Sequence, residues 1–126
     1  MLDTHTWMWL ASDPRRLSPE AAKAIRTADR LGVSVMSVLE IAVKHSTGRL
    51  RLDFDVRTWV QRALTTPKLT LLSLSPEIAL LAAELRTVVG KDPGDCVIAA
   101  TALVHGAPLV TRDARVAASG RVRCIW

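Results

Sequence analysis

The sequence predicts an α/β fold in which a mostly parallel sheet is flanked by helices. Three observations lead there. Short apolar runs of strand length alternate with longer segments of helical period, the order that builds parallel sheets. Helix starts are marked by Ser-Pro-Glu at Ser18 and Ser75 and by Asp-Pro at Asp92, an N-cap followed by a proline at the first helical position. Finally, 126 residues, 49% of them apolar, suffice for one core and are too few for two, so residues 1–126 read as a single domain.

In chain order, Met1-Leu2-Asp3 is a very short apolar strand that stops on an acid. Thr4 to Leu10 reads as a helix capped by Asp3 or Thr4 and ended by Asp13-Pro14. Ser18 opens an amphipathic helix, Gly32 punctuates, and the β-branched run Val33 to Met36 is a strand. Ser37 and Glu40 then have the spacing of a capping box, placing a helix start at Ser37 and its end at Gly48. After the alternating link Arg49 to Leu52, Asp55 opens a helix through Trp59, Val60 and Leu64 that stops before Pro67. Leu69 to Leu74 is a strand, and Ser75 caps a helix running from Ile78 to Val89. The helix behind Asp92-Pro93-Gly94-Asp95 is apolar almost all round (Val97, Ile98, Ala99, Ala100, Ala102), as a buried helix is. Ala107 to Thr111 is a strand ending at Arg112-Asp113, and the alternating Gly120 to Trp126 is a last strand at a sheet edge.

Composition narrows the class. No run approaches the ~20 apolar residues of a membrane span, and Asp3 stands where an export signal would carry positive charge, so a cytoplasmic protein with no membrane contact is expected. Cys96 and Cys124 lack metal-ligand spacing and read as reduced thiols, Cys96 facing the core. The formal charge is +5, with thirteen Arg against four Lys, and Arg suits phosphate because its planar fork donates two hydrogen bonds at once. There is no dense basic run and no aromatic stacking array, so a polyanion would meet a diffuse surface.

Four of the twelve acids share one kind of location. Asp3 ends the first strand, Asp113 follows the Leu109–Thr111 strand, Glu40 lies one turn past the Val33–Met36 strand, and Asp95 sits in the first turn of the apolar helix. In an open parallel sheet the carboxyl ends of strands and the starts of the following helices converge on one edge, where ligands bind. Four carboxylates gathered there need a cation, and Mg²⁺ or Mn²⁺, hard and oxygen-seeking, answers that need. Each acid also has a plain capping role available, and Asp92 is adequately explained as an N-cap. Capping alone does not predict four such placements on one edge.

Leu2-Asp3-Thr4-His5 with Trp9, Ser37 to Lys44 with Gly48-Arg49-Leu50, Asp92-Pro93-Gly94-Asp95 with Ile98 to Ala102, and Leu109-Val110-Thr111-Arg112-Asp113 resemble, in order, the four acidic motifs of the PIN domain. More narrowly the chain is similar to VapC toxins, the ribonucleases of type II toxin–antitoxin pairs. The resemblance runs from Leu2 to Asp113. It implies an α/β/α sandwich, an endoribonuclease dependent on Mg²⁺ or Mn²⁺, a homodimer, and inhibition by a cognate VapB-type antitoxin. Carried over by position, Asp3, Glu40, Asp95 and Asp113 are the catalytic, metal-binding acids, Asp3 and Asp95 as direct ligands and Glu40 and Asp113 direct or through water. Thr4, Ser37 and Thr111 match positions that orient those acids, and each could equally be a cap. The residue after the third acid departs from the pattern: the family often carries Arg, and here it is Cys96.

Other chemistry finds little support. His5, His45 and His105 form no triad, and neither G-x-S-x-G nor a glycine-rich phosphate loop occurs. Trp7, Trp9 and Trp59 read as packing or interface residues, and Trp126 as packing on a partner. Arg112, Arg115 and Lys44 lie beside the motifs and are candidates to receive phosphate, against a solvated surface role for each. The expected reaction is hydrolysis of an RNA phosphodiester by metal-activated water. An antitoxin helix would lie on the apolar faces of the Trp7/Trp9 and Ile41 helices. Two alternatives stay open: a PIN-like nuclease of RNA maturation or DNA processing, and a non-catalytic α/β binding module.

Overall fold

The computed structural model describes residues 1–126. Its sheet is parallel throughout, and the amino terminus lies in its middle. Leu2 forms parallel bridges to Val33 on one side and Val110 on the other. The Leu2 amide donates to the Gly32 carbonyl at 2.8 Å and the Asp3 amide to the Val110 carbonyl at 3.1 Å. Outward from there, β1 (Leu31–Ser34) pairs with β2 (Leu69–Leu72), and β3 (Leu109–Val110) pairs with β4 (Cys124–Ile125). The strand order is therefore β2, β1, amino terminus, β3, β4, with β4 at an edge as its alternation predicts.

Strand alternation sends neighbouring residues to opposite faces. Met1 and Leu109 join a cluster with Ile78, Leu85, Val97 and Ile98. Leu2, Val33 and Val110 join a second with Trp7, Ile41 and Trp59. Helices cover both: α1 (Thr4–Ser12), α2 (Pro19–Thr27), α3 (Val35–Ser46) and α4 (Val56–Leu64) follow the amino-terminal part of the chain, and α5 (Pro76–Leu85), α6 (Pro93–Val104) and α7 (Ala114–Ala118) the rest. This is an α/β/α sandwich. None of the helices is long and apolar enough to cross a membrane.

Capping follows the sequence closely. Ser18 accepts from the Ala21 amide, Asp55 from Arg57 and Thr58, Ser75 from Ile78, and Asp92 from Gly94. In α6 every residue from Cys96 to Ala102 is buried, and the one polar side chain among them, Thr101, donates back to the Val97 carbonyl at 2.6 Å. Cys96 and Cys124 are free thiols, and Cys96 faces the core.

The Val33–Met36 strand and the capping box need correction. Strand β1 lies two residues earlier, because its pairing with β2 ends at Ser34 opposite Leu72. The Ser34 hydroxyl, freed at that strand end, accepts from the Met36 amide at 3.2 Å and caps α3. Ser37 is thus inside the first turn, fully buried, and Glu40 one turn further on is free of any capping duty. Helix α5 stops at Leu85, well before Val89: the amides of Val88 and Val89 both turn back to the Leu85 carbonyl. The apolar periodicity there reflected burial of Val89 rather than helix. The chain also forms a 3₁₀ turn at Pro14–Arg16 and the short helix α7, elements too brief to show a period in the sequence. Trp7 and Ile41 are themselves fully buried, while α3, the helix that carries Ile41, leaves Val35, Leu39 and Val43 at the surface as an apolar face. Trp126 packs on Trp9 of its own chain, centroids 5.4 Å apart.

Candidate active site

Asp3 sits where the central strand ends and α1 begins, and its Oδ1 accepts from the Thr4 amide at 2.7 Å. Its other oxygen accepts from the Thr111 hydroxyl at 2.8 Å, just past β3. The same Thr111 oxygen accepts from the Asp113 amide at 3.0 Å. One hydroxyl thus fixes two acids that follow neighbouring strands, brought to the same edge because those strands run parallel. The side chains of Thr4 and Ser37 make no hydrogen bond to an acid. The Thr4 hydroxyl donates to Ser37 Oγ at 2.9 Å in the core, tying α1 to α3, and neither residue caps its helix.

Asp95 is the third residue of α6, half-buried, and Glu40 reaches it from α3. Carboxylate oxygens of Glu40, Asp92 and Asp95 lie within 4.8 Å of one another. Asp92 therefore does two things: its Oδ1 caps the helix at the Gly94 amide, 2.8 Å away, and it contributes to an acid trio. Gly94 makes room for this. A Cβ there would collide with the Glu40 carboxylate and come within 3.1 Å of Asp92 Oδ1. Asp3 and Asp113 stand outside the trio, and Asp113 is joined to it by Arg115, whose Nη2 lies 2.8 Å from Asp95 Oδ2 and 2.8 Å from Asp113 Oδ2. Lys44 approaches Glu40 loosely, at 3.9 Å. Arg112 is exposed.

Two carboxylates at 4.8 Å repel by about 1 kcal/mol in water and roughly 3 kcal/mol at an effective dielectric of about 20. The trio accordingly needs a proton or a cation. Burial, and then the charges of Asp92, Asp113 and Glu40, push the Asp95 carboxyl up to about 6, with Arg115 pulling the other way. Asp113 is held below the usual carboxylate range, chiefly by its hydrogen bond from the Arg115 side chain. An all-oxygen donor set of this charge and spacing suits a hard divalent ion, so the residues present fit the cation that the sequence led one to expect. From sequence Gly94 carries no role of its own, and Arg115 is a candidate phosphate contact rather than a partner of the acids. A glycine at the second helical position, where almost any residue serves, was the available sign of the first; nothing local showed that Arg115 would reach Asp95.

A PIN domain profile matches residues 1–121. The chain is 35% identical over 116 residues to Ribonuclease VapC22 of Mycobacterium tuberculosis (strain ATCC 25618 / H37Rv), covering 92% of this chain and 88% of that protein. Among solved structures it is similar to a chain of VapBC2 from Rickettsia felis bound to a DNA fragment from their promoter, with a TM-score of 0.69, 16% identity, and 98% of this chain and 95% of that one covered. It is also similar to a chain of VapBC-1 from nontypeable Haemophilus influenzae, again with a TM-score of 0.69, at 20% identity and covering 98% and 94%.

Proposed function

The chain belongs to the PIN-domain family, and we propose on that premise that it is a metal-dependent endoribonuclease, the toxin of a toxin–antitoxin pair. The observation that carries this reading is the convergence of Glu40, Asp92 and Asp95 within 4.8 Å on the edge where Asp3 and Asp113 also lie. Asp3, Asp95, Glu40 and Asp113 would hold Mg²⁺ or Mn²⁺, with Asp92 adding its carboxylate beside Glu40 and Asp95. When bound, such an ion supplies charge neutralisation and activates water for in-line hydrolysis of a phosphodiester. The chain's own residues prepare that edge. Thr111 orients Asp3 and Asp113, Gly94 admits the Glu40 carboxylate, and the Thr4–Ser37 bond sets α1 against α3.

The partner proposed is a cognate VapB-type antitoxin, since the similar solved structures are of VapBC pairs, and it would cover the acidic edge. A homodimer working in the cytoplasm completes the reading. Basic side chains of the antitoxin entering the acid cluster would neutralise it, and replacing them should weaken inhibition.

The direct test is incubation of the purified chain with single-stranded RNA. Cleavage is expected with Mg²⁺ or Mn²⁺, is expected to stop in chelator, and should return when the ion is restored. Cleavage indifferent to chelator would overturn the metal role, and no cleavage under any ion would overturn the nuclease.

A further inference from the structure

Arg115 is the one cation in direct contact with the acids of two elements. Its Nη2 is 2.8 Å from both Asp95 Oδ2 on α6 and Asp113 Oδ2 before α7, and its Nε is 3.3 Å from Asp113 Oδ1. The side chain covers the two carboxylates from outside: it is 64% exposed, against 21% and 24% for Asp95 and Asp113. Burial does not hold it there. It stands second in α7, at the positive end of a helix dipole, which disfavours a cation. What keeps it in place is the carboxylate pair.

We propose that Arg115 is a resident counter-cation that competes with the divalent ion for Asp95 and Asp113. The proposal rests on the metal-site reading above and adds to it a residue that the four acidic motifs do not contain. A guanidinium and a divalent ion cannot share Asp95 Oδ2 at contact distance without strong mutual repulsion. Ion binding therefore releases Arg115, which swings outward on an exposed side chain with nothing else to break. In the ion-free chain it keeps Asp95 and Asp113 together, so the acidic edge stays assembled without metal.

Calorimetric titration of Mn²⁺ into the ion-free chain, compared for wild type, Arg115→Ala and Arg115→Gln, tests this, with melting temperatures to show that each variant is folded. The neutral variants should bind Mn²⁺ more tightly, by about three- to tenfold, the range that one or two exposed ion pairs are worth. The gain should shrink as salt is raised. The NMR signal of the Arg115 Nε–H should shift on titration with Mg²⁺. Equal affinity in all three proteins would overturn the proposal, and weaker binding in the variants would show Arg115 to be an organiser of the site instead. No saturable binding in wild type would overturn the metal reading itself, and this proposal with it.

Discussion

A Cβ at Gly94 would collide with the Glu40 carboxylate, the movable end of a long side chain. Gly94→Ala should therefore fold, helped by the better helix propensity of Ala, which is worth about 1 kcal/mol in a helix interior and less in the first turn. With Glu40 displaced, RNA cleavage should fall by roughly 10- to 100-fold, the usual effect of disturbing the support of a metal ligand. Side-by-side melting and cleavage measurements check both halves. Asp95 gives a pH dependence. Its folded value of about 6 lies above the ordinary 3.8, so the folded chain holds this proton more tightly than the unfolded one. The ion-free protein should lose stability from this group as pH climbs through that interval, and lose no more from it above about 6. Ion binding must expel the proton, so Mn²⁺ affinity should rise by about tenfold per pH unit below 6 and level off above it. Titrations across that range measure this, and Asp95→Asn should flatten the slope.

Among the elements, the starts of α2, α4, α5 and α6 were legible because each cap is local chemistry: Ser18, Asp55, Ser75 and Asp92 bond amides within three residues. The start of α3 was not, since Ser34 and Ser37 are both competent caps and the choice is made by the β1–β2 register, which a single segment does not contain. Helix α7 is five residues long, too short to show a period. Asp3, Glu40, Asp95 and Asp113 could be placed on one edge from strand order alone, whereas the closeness of Asp92 to Glu40 depends on Gly94 and on how α3 lies against α6. Ser37's actual bond yields a prediction at this level. Ser37→Ala strands the buried Thr4 hydroxyl and should cost about 1–3 kcal/mol, while Ser37→Ala combined with Thr4→Val should cost less than the two single changes summed. Denaturant unfolding of the four proteins decides it.

For the molecule as a whole, charge is divided by sign. Asp3, Glu40, Asp92, Asp95 and Asp113 gather on one edge of a chain whose net charge is +5, so the rest of the chain carries a net +10. A basic surface draws RNA in, and the acid cluster repels it until a cation is present. RNA affinity should accordingly fall steeply with salt and, at fixed salt, rise when Mg²⁺ is added; electrophoretic mobility shifts with a non-hydrolysable RNA analogue would show both. The central claim is that the Asp95 carboxylate serves an ion and not merely its helix. One experiment separates these: Mn²⁺ binding and RNA cleavage of Asp95→Asn against wild type, with melting curves on the same samples. The account predicts a folded variant, as stable as wild type or more so above pH 6, that neither binds the ion at the wild-type affinity nor cuts RNA. A folded Asp95→Asn protein that still binds Mn²⁺ and cleaves at the wild-type rate would contradict it.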